Sequence, residues 1–128
     1  MSKMMPVIVI VEDDSTLSKM YEERFKTEKF IVSVAKDGEE AINKINTEKP
    51  DIILLDLMLP KRGGLGVLQI LKTLPQTKDI PVIILTAYTQ DDYKKAAKIN
   101  GAVEFLSKSE TMPVEVVEKV KKIIGWNK

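Results

Sequence analysis

Residues 50–60 have the sequence PDIILLDLMLP, and this stretch decides the fold. Its apolar run lies between a proline and a loop that ends in Gly63 and Gly64. A short apolar run between turn signals predicts a strand buried on both faces, as in a parallel sheet. Asp56 ends the run, and because an ionised carboxylate is seldom buried without a partner, we expect it where the strand leaves the core. Ligands bind at the carboxyl ends of parallel strands, so Asp56 is the first candidate functional residue.

The composition is that of a soluble globular chain. With 128 residues, 44% hydrophobic and 30% charged, it predicts one domain spanning residues 1–128. Twenty basic and 19 acidic residues leave a net charge of +1, which gives no electrostatic reason to expect nucleic acid or an anionic membrane as partner. The sequence has neither a transmembrane run nor a secretory signal, so we expect a cytoplasmic protein.

The chain contains no cysteine and no histidine. This excludes disulfides, thiol catalysis and a phosphohistidine of its own. Any chemistry must therefore use carboxylates, hydroxyls and lysines.

Five apolar runs alternate with five segments of helical spacing, which predicts βαβ units and a parallel sheet. The predicted strands are Val7–Val11, Phe30–Ala35, Asp51–Asp56, Ile80–Thr86 and Val103–Leu106. The first predicted helix is capped by Asp14 or Ser15, the others begin at Gly38, near Leu65, at Gln90 and near Val114, and the fourth ends at Asn100. Nearly continuous apolar strands indicate helices on both faces. The fold class is a three-layer, doubly wound α/β fold.

Polar residues stand at the carboxyl ends of four of these strands, namely Glu12, Asp13, Asp56, Thr86 and Lys108. If the first and third strands are neighbours, three carboxylates converge in one crevice. Unit charges about 4 Å apart repel by roughly 4 kcal/mol at an effective dielectric near 20, so such a cluster requires a cation. With oxygen ligands alone, Mg²⁺ or Mn²⁺ is the natural candidate.

Each of these residues also has a simpler explanation. Acidic residues after a strand often begin a helix, and Asp14 is interpreted as such a cap. Thr86 alone could be an ordinary β-former, and Lys108 alone a solvated surface residue. The functional hypothesis rests on the occurrence of all these residues together at the carboxyl ends of the strands of one sheet.

The chain resembles the receiver domains of two-component response regulators, in particular the single-domain chemotaxis response regulator. The resemblance covers essentially the full length. It is carried by five ordered motifs: Val11–Asp14, Leu54–Pro60 with Gly63-Gly64, Leu85–Ala87, Gly101-Ala102 and Phe105–Lys108. It implies a flavodoxin-like sheet with strand order 2-1-3-4-5.

The resemblance also implies a role for each carboxylate. Asp56 would be the phosphoacceptor, which takes a phosphoryl group from a phosphohistidine of a sensor kinase or a phosphotransfer protein. Asp13 and Asp56 would bind Mg²⁺ directly, Glu12 through water, and Met58 through its backbone carbonyl.

Three further residues take roles by the same resemblance. Lys108 would pair with a phosphoryl oxygen, and the Thr86 hydroxyl would rotate to hydrogen-bond that group. Phe105 would be the switch aromatic, although an aromatic at that position could equally be plain core. The output would be a conformational change passed to a protein partner. Apart from its own phosphorylation and dephosphorylation the protein would not be an enzyme, and it would be a monomer or a weak dimer.

The sequence departs from the family pattern at two places. Ser109 follows Lys108 where the family usually has a proline in a cis bond, so we expect a trans or a strained cis bond there. Glu104 stands alone in a segment where many DNA-binding members carry an acidic pair used in dimerisation. In addition, the bulky Met58 and Tyr88 flank the approach of hydrolytic water, which predicts slow self-dephosphorylation.

Two other classes of function compete with this interpretation. One is a receiver-like interaction module that acts without phosphorylation, which an incomplete acidic pocket would favour. The other is a small doubly wound enzyme. An aspartyl phosphatase would need a second Asp where the chain has Met58, and a flavin-binding protein would need a phosphate-binding loop where Glu12 and Asp13 stand.

Overall fold

The computed structural model describes residues 5–126, which form five strands and five helices in strict alternation. The strands are β1 (Val7–Val11), β2 (Ile31–Ala35), β3 (Ile52–Leu55), β4 (Val82–Thr86) and β5 (Glu104–Ser107). The helices are α1 (Ser15–Thr27), α2 (Gly38–Glu48), α3 (Gly64–Thr73), α4 (Asp91–Ile99) and α5 (Pro113–Ile124).

All strand pairs are parallel and the sheet order is β2-β1-β3-β4-β5, which confirms the predicted fold class and strand order. β1 therefore lies between β2 and β3. Val11, its last residue, is opposite Ala35 on one side and Leu55 on the other. This register brings the residues after β1 and after β3 to the same end of the sheet.

Alternate strand residues supply two separate cores. One face of the sheet packs on α2, α3 and α4, the other on α1 and α5. In β3, for example, Ile53 and Leu55 belong to the first core, and Ile52 and Leu54 to the second. Helices that cover both faces explain why the strands are almost continuously apolar.

The starts of α1 and α2 depend on aspartates. Asp14 caps α1 by accepting the Leu17 N–H at 3.0 Å, which decides between the two predicted caps. Asp37 caps α2 in the same way by accepting the Glu40 N–H at 2.8 Å. Each of these side chains satisfies one backbone donor that the helix itself leaves unpaired.

Several predicted strand starts were too early. Phe30 lies before β2, because its N–H is bonded to the Phe25 carbonyl at the end of α1. Asp51 lies before β3 and accepts the Val7 N–H through its side chain. Ile80 and Pro81 precede β4.

Other predicted bounds were wrong by one residue. Asp56 lies just after β3, and β5 runs from Glu104 to Ser107 instead of from Val103 to Leu106. Gln90 and Asn100 are the caps of α4 and not members of it. There is no cis peptide bond within residues 5–126, so the bond between Lys108 and Ser109 is trans.

Within the described part of the chain, no helix has the length and apolar character needed to cross a membrane.

Candidate functional site

Three of the site residues, Glu12, Asp56 and Lys108, stand one position beyond their strands, but their backbones remain hydrogen-bonded as if the strands continued. Asp56 donates its N–H to the Val11 carbonyl at 3.1 Å, and Glu12 donates to the last carbonyl of β2 at 2.9 Å. On the other side, Lys108 donates to the Thr86 carbonyl at 2.9 Å. The sheet thereby fixes the backbone position from which each of these three side chains extends.

Three carboxylates meet at this end of the sheet. Glu12, Asp13 and Asp56 each offer an oxygen, and these oxygens all lie within 4.8 Å of one another. Asp56 is 4% exposed and Glu12 is 5% exposed, whereas Asp13 is exposed. The donor set consists of hard oxygens and fits a divalent cation such as Mg²⁺ or Mn²⁺.

The Lys108 ammonium bridges two of these carboxylates. Its Nζ lies 2.8 Å from Glu12 Oε1 and 2.8 Å from Asp56 Oδ2. Burial is the largest single influence and would lower the pKa of Lys108, but the hydrogen bonds and charges of Asp56 and Glu12 together outweigh it and raise the pKa. Lys108 is therefore protonated at neutral pH and compensates part of the buried negative charge.

The environment of Glu12 raises its pKa. Burial is the main cause that raises the pKa of Glu12, and the charge of Asp56 adds to it. The Lys108 ammonium and the Asp14 N–H, at 3.2 Å from Glu12 Oε2, act in the opposite direction without cancelling the effect. A repulsive acidic pocket of this kind is typical of sites that bind a cation or carry out chemistry.

The loop between β3 and α3 is packed tightly against Asp56. Met58 donates its N–H to Asp56 Oδ1 at 3.2 Å, and Gly64 donates to the Leu57 carbonyl at 2.9 Å. A Cβ on Gly64 would collide with the Asp56 carbonyl oxygen and would lie 2.5 Å from Leu57 Cα. Only glycine allows α3 to begin so close to the backbone of Asp56.

The N-terminus of α2 supports the same loop. Gly38 donates its N–H to the Pro60 carbonyl at 3.4 Å, and a Cβ at Gly38 would lie 2.6 Å from the Arg62 carbonyl oxygen. The Lys61 ammonium lies 3.5 Å from Asp37 Oδ2. α2 and α3 therefore hold the loop from both ends.

On the opposite side of Asp56, Thr86 is fully buried. Its Oγ1 accepts the Tyr88 N–H at 3.2 Å, so the hydroxyl is engaged with the loop that leads to α4. Phe105 lies opposite Ile84 in the sheet and is half-buried against the core beneath α2, α3 and α4.

The structure brings Glu12, Asp13, Asp56 and Lys108 together and places Thr86 at the end of the neighbouring strand. Asp56 is more buried than the sequence suggested, because Lys108 provides the charged partner that burial requires.

Two features were not foreseen from the sequence. One is the close backbone packing at Gly38 and Gly64, and the other is a stack of Tyr88 on Tyr93 with ring centroids 5.3 Å apart. A glycine after a strand is a general turn signal, and two tyrosines five positions apart show no particular pattern. Neither contact could therefore be predicted from the sequence.

Comparison with known families identifies the class of protein to which this fold and this acidic end of the sheet belong. The family of response regulator receiver domains matches residues 8–121. The chain belongs to that family.

Individual relatives support the assignment. The alkaline phosphatase synthesis transcriptional regulatory protein PhoP of Bacillus subtilis (strain 168) is 36% identical over 117 residues, which are 91% of this chain and 48% of that protein. The chain spans about half the length of the curated relatives it matches over most of its residues.

Solved structures agree as well. A response regulator from Chloroflexus aurantiacus J-10-fl has a TM-score of 0.87 at 32% identity, covering 94% of this chain and 98% of that one. The Mn²⁺-bound form of the response regulator Rcp1 has a TM-score of 0.80 at 30% identity, covering 91% and 92% of the two chains.

Proposed function

We propose that this receiver accepts a phosphoryl group on Asp56 from a phosphohistidine of a partner kinase or phosphotransfer protein. A carboxylate oxygen of Asp56 attacks the phosphorus, the new O–P bond forms as the N–P bond breaks, and the electron pair leaves on the imidazole nitrogen. The supporting observation is the burial of the Asp56 carboxylate, 4% exposed, beside two further carboxylates and one lysine. Residues 1–128 contain no histidine, so a phosphohistidine donor lies outside this stretch of sequence.

The reaction would depend on Mg²⁺, with Mn²⁺ as a substitute. Asp13 and Asp56 would hold the metal directly, Glu12 through water, and Met58 through its backbone carbonyl. When bound, the metal neutralises charge on the transferring phosphoryl group. The carboxylate oxygens within 4.8 Å of one another support this assignment.

Lys108 would exchange one partner for another during transfer. In the unmodified protein its ammonium is held by Glu12 and Asp56, and after transfer it would pair with a phosphoryl oxygen. The raised pKa of Lys108 keeps it charged for this role, because hydrogen bonds to Asp56 and Glu12 outweigh the cost of burial.

The output would be a change of shape on one side of the molecule. The Thr86 hydroxyl would turn toward the phosphoryl group and Phe105 would follow, which would alter the surface formed by α4, β5 and α5. A cytoplasmic protein partner would recognise that surface, with residues 1–128 acting as a single unit.

A net charge of +1 favours a protein partner over nucleic acid for this domain. Relatives such as PhoP are transcriptional regulatory proteins, so a route to DNA through a further domain is the competing form of output.

The phosphorylation proposal is tested by incubating the protein with Mg²⁺ and acetyl phosphate and measuring the intact mass. The matched variants are Asp56→Asn and Asp92→Asn, since Asp92 is an exposed aspartate on α4. We expect one added phosphoryl group on the wild type and on Asp92→Asn, none on Asp56→Asn, and none with a chelator present. Equal labelling of Asp56→Asn would overturn the assignment of the acceptor. No labelling of any form would favour the interaction module that acts without phosphorylation.

The aspartyl phosphate should be long-lived for a receiver. Met58 is 52% exposed next to Asp56, and Tyr88 is half-buried beyond Thr86, so both can cover the approach of water. Met58→Ala should shorten the half-life of the label, whereas Met5→Ala, before β1 at the other end of the sheet, should not. Rapid loss from the wild type would contradict this expectation.

A further inference from the structure

The inference concerns Tyr93 and rests on the proposed function, because it extends the role given there to Thr86. Thr86 Oγ1 accepts the Tyr88 N–H at 3.2 Å. Thr86 is fully buried, and its carbonyl accepts the Lys108 N–H at 2.9 Å. The backbone of Thr86 is therefore fixed by the sheet, while its hydroxyl is held by a loop residue two positions further on.

That loop residue is in turn held by α4. The rings of Tyr88 and Tyr93 stack with centroids 5.3 Å apart and an interplanar angle of 25°. Tyr93 belongs to the first turn of α4, where its N–H bonds the Gln90 carbonyl at 3.0 Å, and it packs partly against the core. A continuous series of contacts thus runs from the Thr86 hydroxyl to the Tyr88 backbone, the Tyr88 ring and α4.

This series matters because α4 has little else to hold it. Ala97 is the only buried residue of α4, whereas α3 buries four residues. A stacked aromatic pair stabilises beyond the area that it buries, so the stack of Tyr93 on Tyr88 is a substantial part of the attachment of such a helix.

We propose that Tyr93 is a positioning residue for the switch. Its ring stacks on Tyr88 and so keeps the Tyr88 N–H hydrogen-bonded to the Thr86 hydroxyl. In this way the orientation of the hydroxyl is coupled to the position of the N-terminus of α4. When the hydroxyl turns toward a phosphoryl group on Asp56, it leaves the Tyr88 N–H, and the stack passes the loss of that bond to α4. In the unmodified protein the same stack opposes this rotation of the Thr86 hydroxyl.

The test compares Tyr93→Leu, which keeps an apolar side chain but removes the ring, with Tyr93→Phe, which keeps the ring. Amide hydrogen exchange of Tyr88 and α4 is measured in the unmodified protein, and urea unfolding identifies samples that have lost global stability. Tyr93→Leu should raise the exchange of the Tyr88 amide by roughly 2- to 10-fold. Tyr93→Phe should remain at the wild-type rate.

A double-mutant cycle separates positioning from simple packing. If Tyr93 acts through the hydrogen bond to Thr86, then Thr86→Val should raise Tyr88 exchange on its own, and adding Tyr93→Leu should have a smaller effect than it has in the wild type. Fully additive effects would overturn the proposal. So would a Tyr93→Phe variant that behaves like Tyr93→Leu, or a Tyr93→Leu variant that exchanges like the wild type.

These measurements do not depend on phosphorylation. If the wild type takes no label from acetyl phosphate, the proposed function fails, while the exchange data still decide whether Tyr93 restrains Thr86 and α4. If labelling succeeds and the cycle is additive, the inference fails alone. In labelled samples we expect Tyr93→Leu to show a smaller further change in α4 than the wild type, since part of the release has already occurred.

Discussion

The loop after β3 and the loop after β4 border Asp56 from two sides, and they are held by different means. The β3 loop is fixed by its backbone: Gly64 donates to the Leu57 carbonyl, Gly38 to the Pro60 carbonyl, and neither glycine has room for a Cβ. The β4 loop is held by the hydroxyl of Thr86 and by one ring stack.

The helices that follow these loops differ in the same way. α3 buries Gly64, Val67, Leu68 and Leu71, whereas α4 buries only Ala97. Apolar burial is the main stabilising contribution, so α4 should open locally at a lower free energy than α3. The difference indicates that the loop after β3 holds Asp56 in place, whereas the loop after β4 and α4 are freer to move.

The largest contrast should appear when one apolar side chain is truncated on each helix. Leu68→Ala removes a fully buried side chain of α3 and should lower the free energy of unfolding by about 3 kcal/mol. Ile99→Ala on α4 removes a side chain that is 83% exposed and should change it by less than about 0.5 kcal/mol. Urea denaturation measures both, and similar losses would show that α4 is as firmly anchored as α3.

A second comparison uses two glycines of α3. Gly64→Ala should lower the free energy of unfolding by about 2 kcal/mol, because the new Cβ must displace the backbone of Asp56 and Leu57. At Gly66 the nearest atom to a new Cβ is the flexible Arg62 Cγ at 3.4 Å, so Gly66→Ala should stabilise the helix by about 0.5 kcal/mol. If Gly64→Ala were as stable as Gly66→Ala, the β3 loop would not be fixed as described.

The smallest expected effect is the pH dependence of the stability that Asp37, the cap of α2 beside the β3 loop, contributes to the fold. Accepting the Glu40 N–H is the main cause that lowers the pKa of Asp37, and Lys61 adds to it. A carboxyl whose pKa is lower in the folded than in the unfolded state stabilises the fold above the unfolded pKa, near 4, and loses this contribution as the pH falls through the folded pKa. The wild type should therefore be more stable than Asp37→Asn at pH 6, and the difference should shrink below about pH 4 in urea titrations. A difference that did not vary with pH would contradict the role of the charge.

Much of the fold was predictable because local signals and tertiary demands agree. The apolar run Ile52–Leu55 is short, lies between turn signals and is buried on both faces, so its pattern identified a parallel strand. The bounds were less accurate, since Phe30 and Val103 are as apolar as the strands they precede. Phe30 is excluded because its N–H bonds the Phe25 carbonyl at the end of α1, which the apolar pattern does not reveal.

The site was predictable to the extent that topology determines it. Once strands 1 and 3 are neighbours, Glu12 and Asp56 must lie close together. The depth of Asp56 and the double ion pair of Lys108 were not predictable, because they depend on side-chain geometry across three strands. The stack of Tyr93 on Tyr88 depends in the same way on the path of the β4 loop.

The division between a fixed and a responsive side is tested most directly by hydrogen exchange of the protein with and without a phosphoryl group on Asp56. The account predicts that exchange changes in residues 86–100 and is unchanged in residues 57–73. A fully phosphorylated sample in which the change is confined to residues 57–73, or in which neither segment changes, would contradict it.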